Sequence, residues 1–183
     1  MEALLLSTAV VALAEMGDKT QLLSFVLAVR LRRRVPIVLG ILVATLANHF
    51  LAGWAGNLLA GLMSPAALRW TVALSFFVFA AWALRPDELD GDQDLRSAGV
   101  FVTTLYAFFL VEMGDKTQLA TVALAARYDS LVAVVSGTTL GMMIANVPAV
   151  WMGQALAQRV NMRLMRRVAA GLFVVLGILA VFM

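Results

Sequence analysis

The sequence predicts an all-α integral membrane protein in which six transmembrane helices form two inverted-topology repeats of three helices each. Three observations lead to this fold class. First, 62% of the 183 residues are hydrophobic and only 14% are charged, whereas soluble domains average about 45–50% and about 25%. Second, six segments are long and apolar enough to cross a bilayer. Third, the first half of the chain recurs in the second half.

Composition also excludes several classes of protein. The mean hydropathy of +0.92 argues against a soluble enzyme, a disordered chain or a nucleic-acid-binding module, so no nucleic-acid partner is expected. The net charge is only +3, and twelve of the fourteen cations are arginines that mostly lie beside apolar segments. The chain has no cysteine and a single histidine. Disulfides, thiolate chemistry and a multi-histidine zinc site are therefore excluded.

The predicted spans follow from length, since a membrane helix needs about 20 mainly apolar residues. Six segments qualify: 3–29, 35–60, 66–84, 98–126, 130–157 and 165–183. The first begins with an acid and lacks a cleavage site, so it is expected to be a retained helix rather than a signal peptide. The chain then divides into a first repeat over 1–84, an acidic cytoplasmic loop over 85–97 and a second repeat over 98–183.

Arginines are unevenly shared among the loops, and this asymmetry predicts the orientation of the protein. Ten of them follow the first, third and fifth segments, whereas the other two loops hold only Arg69 and Arg127. Because loops rich in Lys and Arg stay in the cytoplasm, both termini are expected outside it.

The strongest signal is an internal repeat at an offset of 97 residues. The block EMGDKTQL at 15–22 recurs letter for letter at 112–119, and 19 of the 46 positions over 15–60 are identical at this offset. Each copy contains three spans, and since three is odd, the second copy must enter the membrane from the opposite side. Inverted repeats are typical of transporters, whose substrate site lies near the bilayer midplane where the repeats meet.

The repeated block places charged side chains in the middle of two predicted membrane helices. Each copy supplies two acids and one lysine: Glu15, Asp18, Lys19, Glu112, Asp115 and Lys116. Their spacing of i, i+3 and i+4 predicts that the charges of one copy share a helix face, and Gly17 permits local unwinding or a close helix approach. Because a charge at the bilayer centre costs at least about 2.5–3.5 kcal/mol, the six must face each other or a wet cavity.

The charge of this predicted cluster indicates the kind of ligand. Four carboxylates and two ammonium groups sum to −2, which a divalent cation would neutralise. A site built only of oxygen ligands suits a hard ion such as Mn²⁺ or Ca²⁺. When the ion leaves, four crowded carboxylates cannot all stay ionised in a low dielectric, so protons should take its place. This competition is a physical basis for metal/proton exchange by alternating access, without any further cofactor.

Three other interpretations of the charged blocks are possible. The blocks could be Lys–carboxylate pairs that only join the two halves, but two lysines cannot neutralise four carboxylates. An exporter of a small cationic solute such as an amino acid could also use buried acids, although the sequence suggests no aromatic cage for it. An intramembrane protease is disfavoured, because the Gly-x-Gly-Asp motif is absent and the histidine has no Gly-flanked serine. No enzymatic activity is expected.

Other polar residues in the predicted spans are candidates for additional ligands or for support of the site: Thr20, Gln21, Asn48, His49, Thr117, Gln118 and Asn146. The threonines and glutamines could supply oxygen ligands or simply bond to nearby backbone. Buried asparagines commonly form hydrogen bonds between helices, and His49 could relay protons. The five acids of 87–94 could collect cations at a cytoplasmic mouth or form only a solvated loop.

Both copies of the block match the signature Glu-x-Gly-Asp-Lys/Arg-Thr/Ser in full, in the first and fourth predicted helices. On these motifs the chain resembles the six-helix cation/proton exchangers once called uncharacterised protein family sixteen. That family includes Golgi and chloroplast manganese/calcium transporters and bacterial manganese exporters. The resemblance implies that Glu15, Asp18, Glu112 and Asp115 bind the transported cation, and that the task of the protein is Mn²⁺ efflux.

The resemblance covers essentially the whole chain. It further implies that this compact form is a prokaryotic member, located in the cytoplasmic (inner) membrane with the lipid bilayer, a divalent metal ion and protons as its partners. The residues alone indicate a divalent cation without choosing between Mn²⁺ and Ca²⁺. They also leave the coupling stoichiometry and the oligomeric state open.

Overall fold

The computed structural model describes residues 1–85, 99–128, 130–152 and 162–182, and this part of the chain is helical with short connections. Its helices are α1 (Glu2–Glu15), α2 (Lys19–Leu31), α3 (Arg34–Leu62), α4 (Pro65–Ala83), α5 (Val100–Glu112), α6 (Lys116–Arg127), α7 (Leu131–Met152) and α8 (Met162–Val181). The all-α prediction is confirmed for these residues. The acidic run 87–94 lies outside them.

Three of these helices, α3, α4 and α7, are long and apolar enough to cross a membrane. Helix α5 and the stretch Arg167–Val181 of α8 are shorter apolar helices. The sequence predicted one continuous helix over 3–29 and another over 98–126. Each of these segments is instead divided into two helices of 12 to 14 residues, α1 with α2 and α5 with α6.

Both interruptions fall at the glycine of the repeated block. Gly17 has a φ of 85° and Gly114 a φ of 79°, in the left-handed region that glycine enters without steric cost. Glu15 therefore ends α1, and Lys19 begins α2 after a turn. The expectation that Glu15, Asp18 and Lys19 share one helix face is wrong, because the helical spacing on which it rested stops at Glu15.

The packing of the helices follows the sequence repeat. Helices α1 and α2 both pack mainly against α7, and their counterparts α5 and α6 both pack mainly against α3. Helix α4 packs against its own counterpart, α8. Each half thus places its broken pair of helices against the long third helix of the other half, so the two charged blocks are held inside the bundle.

Two glycines at equivalent positions allow this close packing. A Cβ added at Gly40 of α3 would lie 2.9 Å from the carbonyl oxygen of Phe101 on α5. A Cβ added at Gly137 of α7 would lie 2.5 Å from the carbonyl oxygen of Leu4 on α1. Both pairs are related by the offset of 97 residues. A larger residue at either glycine would push the broken helix pair away from the helix that supports it.

Candidate metal centre

The two helix breaks bring three carboxylates of the repeated blocks together. Glu15, Glu112 and Asp115 each offer one oxygen, and the three oxygens all lie within 4.8 Å of one another. Oxygens that bind a single Ca²⁺ at about 2.3–2.6 Å lie at most about 5.2 Å apart. All three side chains are buried, with at most 1% of each residue exposed. The three acids are therefore close enough together to form a candidate site for one metal ion.

Each glutamate is held by the threonine of its own block. Thr20 Oγ1 donates a hydrogen bond to Glu15 Oε2, and Thr117 Oγ1 donates one to Glu112 Oε1 over 3.0 Å. The other oxygens, Glu15 Oε1 and Glu112 Oε2, are buried and have no hydrogen-bond partner among the described residues. A buried polar atom without a partner is unfavourable, so these two oxygens are suited to bind a cation.

The glutamine of each block closes the turn at the helix break. The backbone N–H of Gly17 donates to Gln21 Oε1 over 2.9 Å, and that of Gly114 donates to Gln118 Oε1 over 2.6 Å. Gln21 Nε2 also donates to the carbonyl oxygen of Ala145 on α7 over 3.0 Å. The two glutamine side chains therefore support the shape of the backbone around the carboxylates.

The lysine of each block pairs with the aspartate of the other block. Lys19 Nζ lies 2.8 Å from Asp115 Oδ1, and Lys116 Nζ lies 2.5 Å from Asp18 Oδ1. We call these two contacts the crossing ion pairs. Because they are related by the repeat, they join the halves at two equivalent points. Lys–carboxylate pairs that join the two halves were one of the interpretations left open by the sequence, and the structure contains two such pairs beside the three converging acids.

The crossing ion pairs are not equivalent in their surroundings. The Lys19 side chain is 21% exposed, whereas the Lys116 side chain is 4% exposed. Asp115 also belongs to the group of three converging carboxylates, and Asp18 does not. The predicted cluster of four carboxylates is thus three converging acids and a fourth that is paired with a buried lysine. The six charged groups together still carry the net charge of −2 that the sequence predicted.

The two halves differ again in the buried polar residues of α3 and α7. Asn48 Nδ2 on α3 donates to the carbonyl oxygen of Phe109 over 3.1 Å, and Asn146 Oδ1 on α7 accepts from Ser24 Oγ over 2.8 Å. His49 occupies the repeat position of Asn146. It is fully buried, and neither ring nitrogen has a hydrogen-bond partner within the described ranges.

Sequence reasoning missed Ser24, which links α2 to Asn146 on α7. A signal for it was present, because a hydroxyl residue follows the threonine of each block by four positions. These residues are Ser24 in the first half and Thr121 in the second, and both are buried. Only Ser24 bonds to another helix, however, because the Thr121 hydroxyl donates to the carbonyl oxygen of Thr117 in its own helix.

The doubled motif, the broken helices and the converging carboxylates define a class of ion exchanger. The chain matches the family described as "Divalent cation/proton antiporter GDT1" over residues 3–91 and 100–183. It therefore belongs to this family of divalent cation/proton antiporters, and the resemblance inferred from the two motifs is confirmed.

Individual relatives agree with this family. A protein of Vibrio cholerae serotype O1 named "Putative manganese exporter" is 49% identical over 183 residues, which cover 100% of this chain and 92% of the relative. GDT1-like protein 5 of Arabidopsis thaliana is 27% identical over 94% of this chain and 92% of its own length. GDT1-like protein 3 of Oryza sativa subsp. japonica is 26% identical over 94% of this chain and 71% of its own length. No solved structure matches the chain.

Proposed function

We propose that this protein exports Mn²⁺ from the cytoplasm in exchange for protons, with Ca²⁺ as a second cation, through one site that contains Glu15, Glu112 and Asp115. The observation that carries the proposal is the group of three buried carboxylate oxygens within 4.8 Å of one another. Membership of the antiporter family supports the exchange for protons. The name of the relative from Vibrio cholerae, "Putative manganese exporter", supports the choice of Mn²⁺.

The same site residues can also bind the protons that are exchanged for the cation. Glu15 Oε1 and Glu112 Oε2 lack a hydrogen-bond partner among the described residues. Each of these oxygens can therefore either coordinate a divalent cation or bind a proton. Three carboxylates this close cannot all stay ionised in a low dielectric once the cation has left. Cation and protons therefore occupy the same oxygens in turn, which couples the movement of one to the return of the other.

We further propose that the chain crosses the prokaryotic cytoplasmic (inner) membrane six times as two inverted repeats, 1–84 and 98–183, with both termini outside the cytoplasm. In this arrangement α1 with α2, and α5 with α6, each form one discontinuous span. The reciprocal packing of these pairs on α7 and α3 supports the symmetry. Discontinuous helices that meet at the midplane are a recurrent way of building ion sites in secondary transporters.

Repeat symmetry suggests how access to the site alternates. In the described state Asp115 joins the two glutamates, and Asp18 is held by Lys116 in the more buried crossing ion pair. In the symmetry-related state Asp18 would join the glutamates, and Lys19 would hold Asp115 in a buried pair. The third acidic ligand then changes between the two aspartates as one half rocks against the other, while Glu15 and Glu112 serve both states.

The test is cation flux in proteoliposomes that contain the purified full chain and a pH-sensitive dye. We expect Mn²⁺ movement to be accompanied by proton movement in the opposite direction, and an imposed pH gradient to drive Mn²⁺ against its own gradient. Flux should slow as the pH on the cation-loading side falls, because protons then compete for the carboxylates.

Two other results would contradict the proposal. Cation flux without proton movement and without pH dependence would indicate a channel. Proton-coupled movement of a cationic amino acid, with no response to a panel of divalent ions, would support the alternative exporter of small cationic solutes. The family match gives that alternative no support.

A further inference from the structure

A groove lies on the surface of the bundle between α3, α4 and α6, and none of the four acids of the repeated blocks lines it. It has a volume of about 430 Å³, and its lining is apolar apart from Thr71 and Ser75. Ligand pockets have volumes of about 300–1,000 Å³. Leu59 of α3, Val78 of α4 and Leu119 of α6 line the groove and are exposed. Because α3 and α4 are long and apolar enough to cross a membrane, the groove is suited to an acyl chain.

A second cavity of about 210 Å³ adjoins this groove and shares Leu68 and Val72 with it. Two arginines line the smaller cavity, Arg69 of α4 and Arg127 of α6. Arg69 Nε and Arg127 Nη1 are buried and make no hydrogen bond to any described residue. Two cationic groups with unused N–H donors thus lie at the end of an apolar groove.

Both arginines are placed beside an aromatic ring. The guanidinium carbon of Arg69 lies 5.8 Å from the ring centre of Trp70, and that of Arg127 lies 5.1 Å from the ring centre of Tyr128. An acid, Glu2, is also present at this end of the bundle, and it accepts a hydrogen bond from the Tyr128 hydroxyl over 2.9 Å. Trp, Tyr and Arg together are typical of the boundary between acyl chains and headgroups.

We propose that the groove and the smaller cavity form a binding site for an anionic phospholipid, with an acyl chain in the groove and the phosphate on Arg69 and Arg127. Guanidinium groups bind phosphate oxygens through paired N–H donors, which makes arginine well suited to this group. The two positive charges favour a headgroup with net negative charge over a zwitterionic one, whose own ammonium would be repelled. This inference does not depend on the proposed transport function.

The experiment is native mass spectrometry of the purified full chain, with phosphatidylglycerol and phosphatidylcholine of identical acyl chains added in competition. We expect the wild type to retain phosphatidylglycerol with about tenfold preference, because both lipids carry the phosphate but the two arginines repel the ammonium group of phosphatidylcholine. The double variant Arg69→Gln, Arg127→Gln should lose the preference. Arg34→Gln is the matched control, because Arg34 also lies over an aromatic ring, Trp151, at 5.4 Å.

A second variant keeps the test informative if the double variant does not fold. Ser75→Phe fills the groove and leaves both arginines in place, and it should weaken the binding of phosphatidylglycerol severalfold. Equal lipid preference in the wild type and the arginine variant would overturn the proposal. So would displacement of the lipid by inorganic phosphate alone, which would indicate a free-anion site. A lipid-free dimer that is lost in the Ser75→Phe variant would show that the groove contacts a second copy instead.

Discussion

The two halves of the molecule carry the same eight-residue block, yet they use it differently. In the second half Asp115 joins Glu15 and Glu112 in the converging group, and its partner Lys19 is partly exposed. In the first half Asp18 is outside that group and is paired with the buried Lys116. Identical sequences therefore provide identical chemical groups, and the packing of the other helices decides which aspartate is available to a cation.

The proposed mechanism needs such a difference, because a site that was open to both sides at once would let cations leak through. Under the proposal, one crossing ion pair is buried and the other is partly exposed in each state, as Lys116 and Lys19 are here. If the two halves exchange these roles, substitutions at the glutamates should have the largest effect, followed by the aspartates and the lysines.

The largest effect should come from the two glutamates, because the proposed mechanism uses both in each state. Glu15→Gln and Glu112→Gln should each reduce Mn²⁺ transport at least about 100-fold, since even the groups that orient metal ligands are worth about 10–100-fold. The measurement is the initial rate of Mn²⁺ flux in proteoliposomes. Glu2→Gln is the control, because Glu2 lies at the exposed start of α1 and is not part of the site. Retained transport in either variant would remove that residue from the site.

Substitutions at the two aspartates should both abolish transport but should differ in their effect on cation binding. Asp18→Asn and Asp115→Asn are each expected to abolish transport, because a full cycle uses both residues. At equilibrium in detergent, however, Asp115→Asn should lower Mn²⁺ affinity by about tenfold or more, while Asp18→Asn should lower it much less. Isothermal titration calorimetry of the two purified variants checks this difference. Equal losses of affinity would mean that both aspartates bind the cation at once. The proposal that the third acidic ligand changes between the two aspartates would then be wrong.

The lysines should differ in their contribution to stability. Lys116→Met removes the ammonium group that lies 2.5 Å from the buried Asp18 carboxylate, and breaking a buried ion pair costs about 3–5 kcal/mol. Lys19→Met should lower the free energy of unfolding less, because the Lys19 side chain is partly exposed and solvent already screens its pair with Asp115. Thermal unfolding of the two variants in the same detergent gives the comparison. A larger loss for Lys19→Met would show that its pair is the one that holds the halves together.

Much of this arrangement could be predicted from the sequence. Composition and span length indicated a helical membrane protein, and the doubled block located the charged residues that the structure places inside the bundle. The repeat also predicted which helices are equivalent, and the contacts of Gly40 and Gly137 agree with it. These features are predictable because they depend on local sequence and on a residue pattern that occurs in both copies of the repeat.

Two other features could not be predicted. Gly17 and Gly114 were compatible with either a continuous helix or a break, since glycine tolerates both conformations. The choice depends on tertiary contacts such as the hydrogen bond from Gln21 Nε2 to the carbonyl oxygen of Ala145 on α7. The difference between Asp18 and Asp115 was also hidden, because two identical blocks have identical local preferences. It arises from the helices around them, where the repeats are no longer identical.

The smallest effect is expected at one such position, where His49 replaces the asparagine that the other half has at Asn146. Asn146 bonds to Ser24, and the repeat counterpart of Ser24 is Thr121, whose hydroxyl donates to the carbonyl oxygen of Thr117 and can still accept a hydrogen bond. His49→Asn would make the halves alike and could recover one hydrogen bond, worth about 1 kcal/mol. We therefore expect equal or slightly higher thermal stability.

Transport by the His49→Asn variant should stay within about threefold of the wild type, because that stability gain changes no carboxylate of the site. The measurement is Mn²⁺ flux and proton movement in the same vesicles, with Asn48→Ala as a control that removes the neighbouring hydrogen bond to Phe109. A loss of proton movement greater than that of the control would mean that His49 carries protons to the carboxylates. The two halves would then differ in chemistry as well as in packing, and His49 would be part of the proton path.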